Sequence, residues 1–382
     1  MNKNKSMRIT NSINILKHLL SKTMSRVELA EKNNLTKTTI TEIIKVFIEM
    51  GMIYEESTIS NEMGRPSILL NFIKDYAYVI GIGIMRDGIQ SCVIDSQGSL
   101  IDKIEKKYTS HEIKLENIYD IVDVVFSRCK DKNILPKAIS FGTPGPLDIK
   151  NGIIKCPPRL PNIINLPLKK LIYDRYGIYC CIENDADMAA IGEQYYGKGK
   201  DLDYFAYVFI SNGIGIGTII NNELYHGQHG FAGELGHIKV NIDGTFKALE
   251  EEFGFDIILQ KMSKKLNTNF NSENAHNLIK LLRNKDNDEI VDIIKVAGIN
   301  IGSALLTYVN LFGITQLFLG GKSKLFGDLF LNTVFDFIKL NRFYEHDVDV
   351  QFSDLDELII SMGAARYGLF KYLEYLTNET IK

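Results

Sequence analysis

Two passages of the chain repeat one pattern. Tyr78–Asp95 reads YVIGIGIMRDGIQSCVID and Tyr204–Gly227 reads YFAYVFISNGIGIGTIINNELYHG. Each is an apolar, β-branched run, a glycine-bearing turn and a second run, which spells strand, turn, strand. The second continues through a hairpin turn at Asn221-Asn222. Two such hairpins, each followed by helical segments and further strands, imply two similar α/β lobes around a cleft. The strands KAISFGTPGP (137–146) and TQLFLGG (315–321) would end at that cleft, where ligands collect beyond the carboxyl ends of strands.

The first 74 residues follow different rules. Ile13, Leu16 and Leu20 make one helical stripe. Ser25-Arg-Val-Glu28 is a capping box that starts a short second helix. Thr36 is the expected N-cap of a third, with Ile40, Ile44 and Phe47 on its inner face and Gly51 as its stop. Lys37, Thr38, Thr39 and Thr41 crowd the first turns of that helix. A cation and small hydroxyls there suit a major groove, because they donate to phosphates or base edges without holding the backbone away. Thr that merely caps and covers a surface helix would look the same. The next segment, MIYEESTISNEMGRPSILLNF, reads strand, polar loop, strand. Its tip carries Arg65 before Pro66, as expected of a wing that enters a minor groove. Together these features predict a winged helix-turn-helix over 1–74. Residues 1–75 hold eleven Lys/Arg against eight Asp/Glu, so a mildly basic head precedes an acidic body in a chain of net charge -3.

In the body, residues 75–382, four clusters fall near the predicted cleft. They are Gly142-Thr-Pro-Gly145-Pro146, Glu183-Asn184-Asp185, Gly230-Phe-Ala-Gly-Glu234-Leu-Gly-His237, and Leu249-Glu250. The first offers bare backbone, at Gly145 above all. Asn184, Asp185, Glu234, His237 and Glu250 offer the fixed acceptors and donors that a polyhydroxylated sugar needs. Each has an ordinary alternative: Asp185 as a helix cap, His237 as a satisfied strand residue, Glu250 as a solvated carboxylate.

The motifs GxPGP, ENDAxxAAxGE, SNGIGIG and GxxGELGHI resemble the ROK family of sugar kinases and sugar-responsive repressors over the whole body. The head, with Gly64-Arg65-Pro66 at its wing, resembles the repressor branch. The resemblance implies an actin-like, RNase H-like fold with a sugar between the lobes, here roughly 75–190 plus the C-terminal helix, and 191–365. It implies sugar contacts at Asn184, Asp185, Glu234, His237 and Glu250, and in the kinases a general base at the position of Asp185.

Two departures from the family pattern bear on function. The kinases carry Asp-x-Gly-Gly-Thr in the first hairpin for metal-bound phosphates, and here the corresponding positions hold Gly83, Met85, Arg86 and Asp87. The metal-facing carboxylate is missing, Met85 fills space and Asp87 adds negative charge, which strikes the electrostatics on which phosphoryl transfer depends. The family's zinc site joins the His at 237 to three cysteines, but the segment after His237, IKVNIDGTFKALEEEF, has none. One His cannot build a tetrahedral N/S site, so no zinc and no other cofactor is expected, with the shortened loop closed by Phe246 and Leu249. The five cysteines form no CxxC pattern, as expected of reduced thiols in a cytoplasm. Neither a signal peptide nor a run of eighteen apolar residues is seen, so no membrane partner is expected.

The sequence therefore reads as a repressor without catalytic residues. It would bind operator DNA as a homodimer and respond to a sugar or sugar phosphate. Two other readings stand beside it: an ATP-dependent sugar kinase with an appended head, and a DNA-binding or docking protein whose cleft is vestigial.

Overall fold

The computed structural model describes residues 3–57, 68–108, 112–228, 230–267, 288–343, 345, 347–355 and 358–381. The chain divides into two compact units, Met1–Glu183 with Ser361–Lys382, and Asn184–Ile360.

The head opens the first unit with α1 (Lys3–Ser21), β1 (Met24–Ser25), α2 (Arg26–Asn33), α3 (Lys37–Glu49), β2 (Ile53–Ser57) and β3 (Ile68–Phe72). The Ser25–Glu28 capping box forms with both of its hydrogen bonds. Asn34, left-handed at φ 52°, ends α2 and turns the chain toward Thr36, whose side chain caps α3 by accepting from the Thr39 amide. Gly51, at φ 69°, stops α3. Ile40, Ile43, Ile44 and Phe47 are buried beneath α3. The strands form a sheet in the order β1-β3-β2. The short β1, paired to β3 through Met24 and Leu70, has no signature in the sequence. The wing tip, including Gly64, Arg65 and Pro66, lies outside the described residues.

The rest of the first unit is built on β4 (Tyr78–Met85), β5 (Gly88–Ile94), β6 (Leu100–Lys107), β7 (Pro136–Thr143) and β10 (Tyr179–Asn184), with α4 (Leu115–Asp131), α5 (Leu168–Tyr176) and the two-residue β8 (Leu147–Asp148) and β9 (Ile153–Ile154) between them. The sheet order is β10-β7-β4-β5-β6. The strands β4, β5 and β6 run antiparallel in sequence, and β7 lies parallel to β4. One face packs on α4 and α5 through Ile80, Ile82, Ile139, Phe141, Ile121 and Ile172. The other face shares an apolar cluster with the head, in which Val79, Cys92, Ile94 and Ala138 join Ile15, Leu16, Phe47 and Leu70.

The second unit repeats the plan. Its elements are α6 (Asp185–Tyr196), β11 (Tyr204–Ile210), β12 (Ile214–Ile220), β13 (Glu223–Leu224), β14 (Lys239–Ile242), β15 (Thr245–Ala248), α7 (Leu249–Phe253), α8 (Phe255–Leu266), α9 (Asp288–Phe312), β16 (Gln316–Gly321), α10 (Gly327–Asn341) and β17 (Asp349–Phe352). The sheet order β13-β12-β11-β16-β17, with an antiparallel meander and two parallel strands beyond it, matches the first sheet strand for strand. The two similar lobes expected from the paired hairpins are present. Asn221 and Asn222, at φ 54° and 62°, make the turn into β13. By length and composition α9 could cross a membrane, yet Ile290, Ile294, Ile301, Leu305 and Val309 are all core residues of this unit. The final helix, α11 (Ile359–Thr380), passes back into the first unit at Ser361.

Candidate functional site

One strand organises five of the predicted site residues. Along β12, alternate residues face opposite ways. Gly215 and Gly217 point at α6: an added Cβ at Gly215 would lie 2.9 Å from the Ala186 Cβ, and one at Gly217 would lie 2.4 Å from the Ala186 carbonyl oxygen. These glycines serve to seat the helix whose first residue is Asp185. Asn184 is the N-cap, and the Ala186 amide donates to both Asn184 Oδ1 and Asp185 Oδ1 at 2.9 Å. Both residues are half-buried.

The backbone of the same strand fixes the other three. The Ile216 amide donates to the Gly233 carbonyl at 3.0 Å. This holds the turn that leads to Glu234 and the 3-10 segment Leu235–His237. Gly233 has φ +91°, and a Cβ there would strike the Ile216 oxygen at 2.1 Å, so only glycine brings this loop so close. The Ile214 amide donates to Glu250 Oε2 at 3.3 Å, and Glu250 is placed by α7, whose Leu249 is wholly buried. Gly236 completes the arrangement: a Cβ there would lie 2.9 Å from Glu250 Oε2. His237 Nε2 stands 3.6 Å from Glu234 Oε2.

Three carboxylates, an amide and an imidazole thus gather on one scaffold. Desolvation raises the Glu234 carboxyl above its ordinary 4.5, His237 lowers it in part, and the Glu250 charge raises it further. Such a set accepts vicinal hydroxyls well, and its negative charge disfavours a phosphate set against these residues. Gly145, the sixth predicted contact, lies in the first unit in the loop after β7, with a cis peptide bond to Pro146.

The stretch where the family places zinc is a β-hairpin. The strands β14 and β15 pair from Lys239–Ala248 to Ile242–Thr245 around a turn with Asp243 and Gly244 at positive φ, and Asn241 Oδ1 accepts from the Gly244 amide. Its donor set does not suit a structural zinc, since His237 is followed by no cysteine. Leu249 closes the loop as expected, but Phe246 does not, being 69% exposed. Hairpin alternation turns its side chain outward.

In the first hairpin, β4 reaches Met85 and β5 starts at Gly88, leaving Arg86-Asp87 as a two-residue turn. Gly83 pairs with Gln90 on one side and Gly142 on the other.

On the head, Lys37, Thr38 and Thr41 are exposed on α3. Thr39 is half-buried, with its hydroxyl 2.9 Å from that of Thr36, so it completes the cap instead of facing outward. Lys45 is exposed one helical turn beyond Thr41. Its ammonium stands 3.8 Å from the Glu49 carboxylate, an i, i+4 pair on the helix surface.

A family model described as ROK matches residues 79–365. The chain belongs to the ROK family. It is similar to the xylose repressor of Bacillus subtilis, 31% identical over 233 residues, which make up 60% of each chain. It is also similar to the xylose repressor of Caldicellulosiruptor bescii, 25% identical over 92% of this chain and 94% of that one. Among solved structures, a ROK family transcriptional regulator described as a homologue of Escherichia coli MLC superposes with a TM-score of 0.80 at 20% identity. The superposition covers 97% of this chain and 99% of that one, so this ROK protein shares its fold from the head through α11.

Proposed function

We propose that the protein is a sugar-responsive, DNA-binding transcriptional repressor. One observation carries the reading: a capped helix-turn-helix presenting Lys37, Thr38 and Thr41 is joined in one chain to a ROK body in which β12 gathers Asn184, Asp185, Glu234, His237 and Glu250. The resemblance to proteins named xylose repressor over nearly full length supports it. The head would contact operator DNA through α3 and through Arg65 at the wing, as a homodimer on paired half-sites. The ligand is a sugar or sugar phosphate whose hydroxyls meet the five residues. A sugar shifts operator affinity only by as much as it prefers one state of the protein over another.

The same reading holds that the protein needs no zinc and no other cofactor, performs no catalysis, and works in the cytoplasm. Five free thiols accord with a reducing compartment. A kinase reading rests on Asp185, the position at which the resemblance implies the family's general base. Gly83, Met85, Arg86 and Asp87 speak against it, because the hairpin has no carboxylate at 83 for a metal.

The test uses the full-length protein with duplexes that it selects from random-sequence DNA. Affinity is measured with and without D-xylose, D-glucose and N-acetyl-D-glucosamine. A change in operator affinity with one sugar, without ATP turnover, supports the repressor. Phosphorylation of a sugar by wild type that Asp185→Asn abolishes would overturn it.

A further inference from the structure

The helix α11 meets α6 in the second unit, and β4, β10 and the head's α1 in the first. It begins in the second unit, where Ile359 meets α6: a Cβ at Gly192 would lie 2.6 Å from the Ile359 oxygen. The helix α6 is the one that carries Asp185. On entering the first unit, α11 lies on β4, where a Cβ at Gly81 would fall 1.9 Å from the Ser361 oxygen and 2.6 Å from the Ala365 amide nitrogen. Contacts this close leave no slack between helix and strand. Further along, Ala365, Leu369 and Leu373 belong to the same apolar cluster as Ile15, Leu16, Leu19 and Leu20 of the head's first helix.

Two adjacent polar residues stand out on this helix. Arg366 is 5% exposed, and its Nη2 donates to the Leu20 carbonyl in the last turn of α1. The last carbonyls of a helix lack partners within it and form the negative end of its dipole, so a guanidinium there both caps and anchors α1. A buried cation is costly unless held, which ties its geometry to that of α1. Lys17 reinforces the contact, with its ammonium 5.5 Å from the Phe370 ring centre.

Tyr367 works in the other direction. Its hydroxyl donates at 3.1 Å to Glu183 Oε2, and Glu183 is fully buried and directly precedes Asn184 and Asp185 in the chain. Burial, and then the Glu183 charge, hold the Tyr367 hydroxyl well above its ordinary value, so it stays a neutral donor throughout the physiological range.

We propose that α11 couples the candidate sugar residues to the DNA-binding head, with Tyr367 and Arg366 as its two positioning contacts. A ligand that shifts Asn184–Asp185 moves Glu183 through one peptide bond and α11 through Tyr367. The same helix turn carries Arg366 and moves α1. This rests on the sugar-repressor reading and adds the path by which the two functions communicate.

The experiment measures coupling apart from binding. Tyr367→Phe, Arg366→Met and Arg366→Lys are made in the full-length protein. Operator and sugar affinities are measured separately and together, with melting temperatures as the check on folding. Functional coupling of this kind spans about 5- to 150-fold. Tyr367→Phe is expected to keep each separate affinity within about threefold of wild type while the ratio of operator affinities without and with sugar falls toward one. Arg366→Met loses the ratio as well, and Arg366→Lys recovers part of it by keeping a cation at the end of α1. Folded Tyr367→Phe and Arg366→Met proteins that retain the full wild-type ratio would sink the coupling path and leave the repressor reading intact. Wild type whose operator affinity ignores all three sugars would instead remove the repressor reading, and the path with it.

Discussion

The two five-stranded sheets share a strand order, yet their hairpin glycines do different jobs. In the first sheet Gly81, on the first strand of the hairpin, gives up its Cβ to admit α11. In the second, Gly215 and Gly217, on the second strand, admit α6. One helix runs to the DNA-binding head and the other begins at Asp185. Glycine-rich hairpins that look alike in sequence thus mark where a helix lies flat on a strand. What the hairpin contributes to function depends on which helix lies there.

The largest effects should come from filling those contacts. Gly81→Val forces a side chain into the backbone of α11 and should cost about 3 kcal/mol or more. Gly217→Ala presses on the Ala186 carbonyl and should cost about 2 kcal/mol, and Gly215→Ala, which meets only a methyl group, about 1 kcal/mol. Urea unfolding measures all three. Tolerance of Gly81→Val and Gly217→Ala alike would break the comparison.

The second prediction sharpens the role of the β12 assembly. Glu234→Gln should weaken sugar binding by about tenfold or more, since a charged acceptor is lost. Because the folded carboxyl is raised above 4.5, the free protein binds that proton more tightly than the unfolded chain does. The resulting stabilisation is fully present below 4.5 and is lost as pH rises through the folded value. Sugar competes with the proton, so wild-type affinity should fall as pH drops through the same window, above 4.5 and not at it. Calorimetry across pH should show this acid limb in wild type and lose it in Glu234→Gln.

Smaller effects are expected on the head. Ser25→Ala removes the capping box and should cost about 1 kcal/mol. Lys45→Ala should leave stability unchanged while lowering the slope of log operator affinity against log salt by about one, if this cation faces a phosphate. An unchanged slope removes Lys45 from the DNA face. The smallest effect belongs to Phe246→Ser, within about 0.5 kcal/mol in thermal unfolding, because the hairpin is held by its ladder and by Leu249. A larger loss would restore Phe246 as the closure of that loop.

Much of the head was legible because its signals are local. A cap and its partner lie three residues apart, as Ser25–Glu28 and Thr36–Thr39 do, so spacing reveals them. Facing was harder. Thr39 has the same chemistry as Thr38 and Thr41, and only the geometry of the cap turns its hydroxyl toward Thr36. Phe246 and Leu249 are both apolar, but the hairpin register sets Phe246 opposite the exposed Asn241, whereas Leu249 lies beyond the ladder at the start of α7 and is buried.

The sequence alone determined the kinds of elements, the paired lobes and the polar residues suited to a sugar, because hydrophobic period, capping and turn chemistry act over a few residues. Tertiary structure alone decided that β12 gathers those residues and that α11 reaches both Glu183 and the last turn of α1. Arg366 and Leu20 are 346 residues apart, and Tyr367 and Glu183 are 184 apart. No local pattern encodes such contacts. They follow from which faces the sheets leave for the helices to cover, and that is set only when the whole core packs.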